Sequence, residues 1–160
     1  MGDDLREAIC MLNSKNLEMW GHIHLKEITP GGPVYIKVYI ENIPPGAHGF
    51  HIHRSGDSSC GPKGLCSHYN PFGKQHGGLN DPDAHIGDLG NVYADSEGTV
   101  DVEFVAQYVR LRGEYSVLGR SFVVHEGEDD LGLGGHEDSK TTGHSGSRIM
   151  WGIIAVKETC

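Results

Sequence analysis

Between Gly49 and Asp88 the chain places five histidines within forty residues and closes the stretch on an aspartate, and any fold must account for them. They are His51, His53, His68, His76, His85 and Asp88, and His125 follows in Val123-Val124-His125-Glu126. Imidazole is the commonest ligand for zinc and copper, and a carboxylate can complete a zinc tetrahedron. One ion uses about three or four protein ligands. Seven such residues exceed one site, so two metals close together are the economical reading.

Spacing adds to this. His51 and His53 alternate with the apolar Phe50 and Ile52, which on a strand turns both imidazoles to one face and the apolar pair to the other. From His53 to Asp88 the chain is rich in Gly, Pro, Ser, Asn and Asp, the composition of a loop. Structureless loops of this length are uncommon inside compact domains unless they are functional. A metal tying His68, His76, His85 and Asp88 together gives this loop a reason to be ordered.

The remaining chain reads as short strands. Residues 6–12 form the first. Residues 17–27 alternate, with Leu17, Met19, Ile23 and Leu25 on one face and Glu18, Trp20, His22, His24 and Lys26 on the other, a solvated face. Thr29-Pro30-Gly31-Gly32-Pro33 is a turn, and further strands cover 34–41, 90–94, 100–106 and 121–125. Residues 108–119 are a mixed connection, 126–147 a second long loop, acidic and glycine-rich, and 148–157 a final apolar strand. Such a pattern indicates an antiparallel sandwich or barrel. One domain spanning 1–160 suits this length, and 24 glycines fit turns and loops better than long helices.

Charge narrows the partners. A formal charge of −9 argues against nucleic acid, and no apolar stretch reaches the ~20 residues that span a bilayer. An anionic substrate must be drawn by cations local to the site. The start, Met1-Gly2-Asp3-Asp4, shows no signal peptide. That favours the cytoplasm, and secretion stays open because a chain trimmed of its leader looks the same.

Taken in order, Gly49-Phe50-His51-Ile52-His53, His68-Tyr69-Asn70-Pro71, His76-Gly77-Gly78, His85-Ile86-Gly87-Asp88-Leu89-Gly90-Asn91, Val123-Val124-His125-Glu126, Asp129-Asp130-Leu131-Gly132 and Gly146-Ser147-Arg148 resemble the copper/zinc superoxide dismutases over nearly the whole chain. The resemblance implies an all-β, eight-stranded antiparallel Greek-key β-barrel, an immunoglobulin-like sandwich, with a long metal-binding loop and a long electrostatic loop. It implies copper on His51, His53, His68 and His125, and zinc on His68, His76, His85 and Asp88, with His68 bridging. Asp129 would accept hydrogen bonds from His51 and His76, and Arg148 would hold the superoxide anion beside the copper. His68 and Arg148 are the catalytic residues on this reading, with Lys140, Arg148 and Lys74 as local cations. His48 takes a structural hydrogen-bonding role, and His136 and His144 are solvated.

Several positions depart from the family pattern. The usual disulfide from the metal-rich loop to the last strand cannot form, because Trp151 stands where the strand's half-cystine belongs. Cys10, Cys60, Cys66 and Cys160 allow three full pairings, and a local Cys60–Cys66 bridge is the favoured one. A homodimer is implied, but Ser55 replaces the aromatic residue that anchors the common interface, which puts dimerisation in doubt. Gly127 stands where a lysine often follows the last copper histidine, which weakens steering. Ser55, Gly127 and Trp151 keep an alternative open, a same-fold copper- and zinc-binding protein with little or no turnover. A zinc-only structural protein is the other rival, and His51, His53 and His125 speak against it.

Overall fold

The computed structural model describes residues 4–158, so the chain start before Asp4 and Cys160 lie outside the described residues. Among the described residues nine strands form: β1 (Glu7–Ser14), β2 (Trp20–Glu27), β3 (Val34–Glu41), β4 (Gly46–His53), β5 (Asp88–Ala94), β6 (Val100–Ala106), β7 (Ser121–His125), β8 (Arg148–Ile153) and the two-residue β9 (Ala155–Val156). They pair antiparallel in the order β5-β4-β7-β8-β1-β2-β3-β6, with β9 on β1. The chain crosses from β3 to β4, returns to lay β6 beside β3, and crosses again to lay β7 beside β4, which is a Greek key. The two ends, β5 and β6, approach each other and nearly close the barrel. The all-β Greek-key barrel read from the sequence is the fold observed.

Alternation builds the interior. Ala8, Cys10 and Leu12 point inward from β1, Ile23 and Leu25 from β2, and Val34, Ile36, Val38 and Ile40 from β3. Phe50 stacks on Phe122 at 5.1 Å and meets Phe104 edge-on at 6.5 Å, joining β4, β7 and β6 through the core. Each such pair contributes about 0.5–1.5 kcal/mol beyond its burial.

The structure corrects some boundaries. Leu17 does not share the inner face of β2; it precedes the strand and is 95% exposed. The final apolar run is two strands. Ile154 leaves the ladder to exchange backbone hydrogen bonds with Gly119 and Arg120, and Ala155–Val156 then pair with β1 rather than continuing β8. The first long loop holds a 3-10 turn at Gly61–Leu65, and the second a single helical turn, α1, at Ser139–Thr142.

Candidate metal centre

Most strands bury one face, whereas β4 from His48 to His53 and all of β7 are buried on both. Their inner face supplies Phe50, Ile52, Phe122 and Val124; their outer face, covered by the two long loops, supplies His51, His53 and His125. Register shifts occur between Gly49 and His51 against β5, and between Val124 and His125 against β8. Bulges of this kind re-aim side chains next to active sites. Here they fall at two of the three strand histidines.

His51, His53, His68 and His125 each offer a ring nitrogen, and these nitrogens lie within 4.8 Å of one another. His51 Nδ1, His53 Nε2, His68 Nε2 and His125 Nε2 are all buried without a hydrogen-bond partner. Buried polar atoms are otherwise almost always paired. The opposite nitrogens are engaged: His51 Nε2 by Asp129 Oδ2 at 2.5 Å, His53 Nδ1 by the Cys66 carbonyl at 2.8 Å, His125 Nδ1 by the Gly146 carbonyl at 3.0 Å, and His68 Nδ1 by Asp88 Oδ1 at 3.0 Å. Burial and the neighbouring rings push His51 and His53 well below the ordinary histidine range, and burial takes His125 down to about 4. Neutral imidazole with a free lone pair is the metal-binding form.

Asp88 Oδ1 gathers a second set of Nδ1 atoms, His68 at 3.0 Å, His76 at 2.8 Å and His85 at 3.2 Å, with His68 and His85 Nδ1 3.3 Å apart. The other oxygen accepts from the Gly77 and His85 backbone N–H groups. Burial opposes the charge of Asp88, but hydrogen bonds from the three histidines hold its carboxyl well below the usual range. Burial also opposes protonation of His76, yet Asp129 and Asp88 raise it to about 9. Three imidazoles and a carboxylate suit zinc, and four neutral imidazole nitrogens suit copper. His68 belongs to both sets, one nitrogen in each.

Asp129 lies between them, its Oδ1 2.7 Å from His76 Nε2. Asn91 clamps its backbone, accepting from Asp129 N–H at 2.7 Å and donating to its carbonyl at 3.0 Å. Sequence reading gave Asn91 no role, although it closes the block that begins at His85. Gly143 was also overlooked: a Cβ there would lie 2.1 Å from Asp129 Oδ1 and 2.5 Å from His76 Nε2, at a φ of +74°. His48 reaches the carbonyls of Pro44 and His125 at 2.6 and 2.8 Å.

A cavity of about 620 Å³ opens onto His53, His68 and His125, with Arg148, Lys140 and Lys74 also on its walls. Arg148 donates from Nη1 to the Pro62 carbonyl at 2.7 Å and from Nη2 to the Cys66 carbonyl at 2.5 Å. Lys74 stands 3.7 Å from Asp83, an exposed ion pair.

Other histidines stay apart from this cluster. His22 and His24 lie on the outer face of β2, His24 beside Glu7. His136 and His144 are exposed and stacked at 3.7 Å with nearly parallel planes. In-plane lone pairs of parallel rings cannot meet on one ion. The Cys60–Cys66 bridge does not form: both are free thiols, as is Cys10, and Cys66 Sγ turns toward the Gly64 carbonyl at 3.5 Å instead. Trp151 is half-buried on β8, opposite Val123 on one side and Asn13 on the other.

The family model for copper/zinc superoxide dismutase matches residues 19–154. An extracellular copper/zinc superoxide dismutase of Drosophila melanogaster is 43% identical over 91% of this chain and 81% of its own length. Superoxide dismutase [Cu-Zn] 5 of Dictyostelium discoideum is 40% identical over 94% of this chain and 98% of its own length, and a copper/zinc superoxide dismutase of Candida albicans is 44% identical over 86% and 90%. With its barrel and two buried groups of side chains that could hold metal ions, the chain belongs to the copper/zinc superoxide dismutase family, oxidoreductases that use copper and zinc.

Proposed function

We propose that the chain converts superoxide to oxygen and hydrogen peroxide with copper held by His51 Nδ1 and by the Nε2 atoms of His53, His68 and His125, and zinc held by Asp88 and by the Nδ1 atoms of His68, His76 and His85. The observation that carries this reading is the set of four buried ring nitrogens with no partner. His51 is close enough to join the zinc set as well, but Asp129 occupies its Nε2 and its Nδ1 serves the first set, so His85 is the better fourth ligand.

Bound copper would supply the one-electron exchange with superoxide, and zinc, which has no redox chemistry, would serve to hold its ligands together. Arg148 offers a guanidinium at the cavity wall, fixed by two carbonyls, to hold a small anion. Lys140 and Lys74 add local positive charge against a chain of net charge −9. His68 Nε2 is the position at which a proton can be held and passed on, because Asp88 fixes the other nitrogen. The balance is two superoxide anions and two protons to one oxygen and one hydrogen peroxide.

Two relatives, of Drosophila melanogaster and Onchocerca volvulus, are named extracellular. The three unpaired thiols described here fit a reducing compartment instead, and cell fractionation decides. Ser55, at the position where an aromatic residue anchors the family's common dimer, puts a homodimer in doubt, and sedimentation at several concentrations reads whether one forms.

The functional test is superoxide dismutation on protein with quantified copper and zinc, beside Arg148→Ala. Turnover that tracks copper and falls about tenfold or more in the variant supports the reading. Full copper with negligible turnover in the unaltered chain overturns it.

A further inference from the structure

The segment from Arg54 to Ser67 carries free thiols at Cys60 and Cys66, yet it supplies three contacts to the centre. The Cys66 carbonyl accepts from both His53 Nδ1 and Arg148 Nη2, and the Pro62 carbonyl accepts from Arg148 Nη1. One short turn therefore sets the tautomer of His53, leaving Nε2 with its lone pair, and also sets the direction of the Arg148 guanidinium.

Something must hold that turn. Cys66 has a φ of +66°, a region non-glycine residues rarely adopt, and such a conformation persists only where its surroundings fix it. Between Arg54 and Ser67 the only buried residue is Leu65, at 0% exposure, and it lies outside the barrel's core cluster. Its carbonyl accepts from Ser55 N–H at 3.2 Å, and the Ser67 carbonyl accepts from Arg54 N–H at 2.9 Å, so the C-terminal end of the turn, on both sides of Cys66, is laced to the residues that follow β4.

We propose that Leu65 is a positioning residue: its burial anchors the 3-10 turn without thiol chemistry, and through the Cys66 and Pro62 carbonyls it fixes His53 and Arg148. The proposal deepens the reading of this cavity as an anion site beside copper and rests on it. Two consequences distinguish Leu65 from an ordinary core residue. Losing it loosens this turn while the barrel stays intact, and the loosening is felt by an anion at Arg148.

The test compares the unaltered chain with Leu65→Ala and with the size-conserving Leu65→Met. Amide hydrogen exchange is read in copper-free, zinc-loaded protein, and azide affinity in the copper(II)-loaded protein. Leu65→Ala is expected to speed exchange at Arg54 and Ser55 by about tenfold or more, to leave the β2 and β3 amides unchanged, and to weaken azide about fivefold or more. Leu65→Met should restore both readouts, and a thiol reductant should change neither in the unaltered chain. Unaltered exchange at Arg54 and Ser55 in Leu65→Ala overturns the proposal, as does unaltered azide affinity. A reductant effect of similar size overturns it too, because thiol pairing would then be holding the turn. Hydrogen exchange needs neither copper nor superoxide, so an inert enzyme would sink the proposed function and leave this result interpretable.

Discussion

His51 Nε2 lies 2.5 Å from Asp129 Oδ2, and neither side chain is exposed to solvent. The other carboxylate oxygen takes His76 Nε2 at 2.7 Å. A single acid thus orients one ring from each of the two histidine groups. In Asp129→Asn one oxygen becomes an N–H donor, so one of the two rings faces a donor with a donor. Metal affinity is expected to fall about 10–100-fold, measured by competition with a chelator of known strength. Unchanged competition for both metals would remove Asp129 from the account.

Gly143 occupies the tightest approach to that carboxylate. Its φ of +74° already disfavours any side chain, and a methyl would overlap Asp129 and His76. Gly143→Ala should therefore lower bound zinc well before it harms the barrel. Zinc content after dialysis and the denaturation midpoint of metal-free protein separate the two effects. Equal zinc retention in variant and parent would contradict this.

Lys140 lines the same cavity as Arg148, on the single helical turn of the second long loop. With Gly127 where a further lysine could stand, Lys140 carries a large share of the local positive charge. Lys140→Ala should lower kcat/KM several-fold at low salt, with the difference shrinking as ionic strength rises past about 0.1 M. Salt-independent loss would point to a structural role for this residue instead.

Glu27 tests the barrel rather than the site. It is buried and receives Arg112 Nε and Nη2 at 2.8 and 2.6 Å, along with the backbone N–H groups of Arg6 and Gly31. Arg112 and those N–H groups outweigh burial and lower its carboxyl to about 2. The folded value is depressed, so the stabilisation is complete above the unfolded value of about 4.5 and is lost as pH falls toward 2. Because Arg112 is partly exposed, Glu27→Gln should cost about 2 kcal/mol at neutral pH. The cost should shrink by about half or more at pH 3, read by urea denaturation of metal-free protein. An equal cost at both pH values would contradict it.

Much of this was legible in the sequence for physical reasons. Period-two alternation placed β3 to the residue, the bounds read for β6 and β7 coincide with the strands observed, and His51-Ile52-His53 announced a strand with its imidazoles on one face and its apolar residues on the other. Turn residues and apolar runs carried less. Leu17 kept the period but lies before the strand, and the apolar stretch after Arg148 hid a break at Ile154, because pairing to Arg120 and Gly119 comes from elsewhere in the chain. The Cys60–Cys66 reading failed because proximity in sequence says nothing of where Sγ points. Asn91, Gly143 and the carbonyls of Pro62 and Cys66 went unnoticed because their contributions are hydrogen bonds to or from the backbone, and clearance. Residue type does not record either.

Anomalous X-ray scattering recorded at the copper and zinc edges from crystals of the metal-loaded chain tests the central claim most directly. A copper peak is expected among His51 Nδ1 and the Nε2 atoms of His53, His68 and His125, and a separate zinc peak among Asp88 Oδ1 and the Nδ1 atoms of His68, His76 and His85. Zinc in the first set at full copper loading, or copper bound away from those four nitrogens, would contradict it.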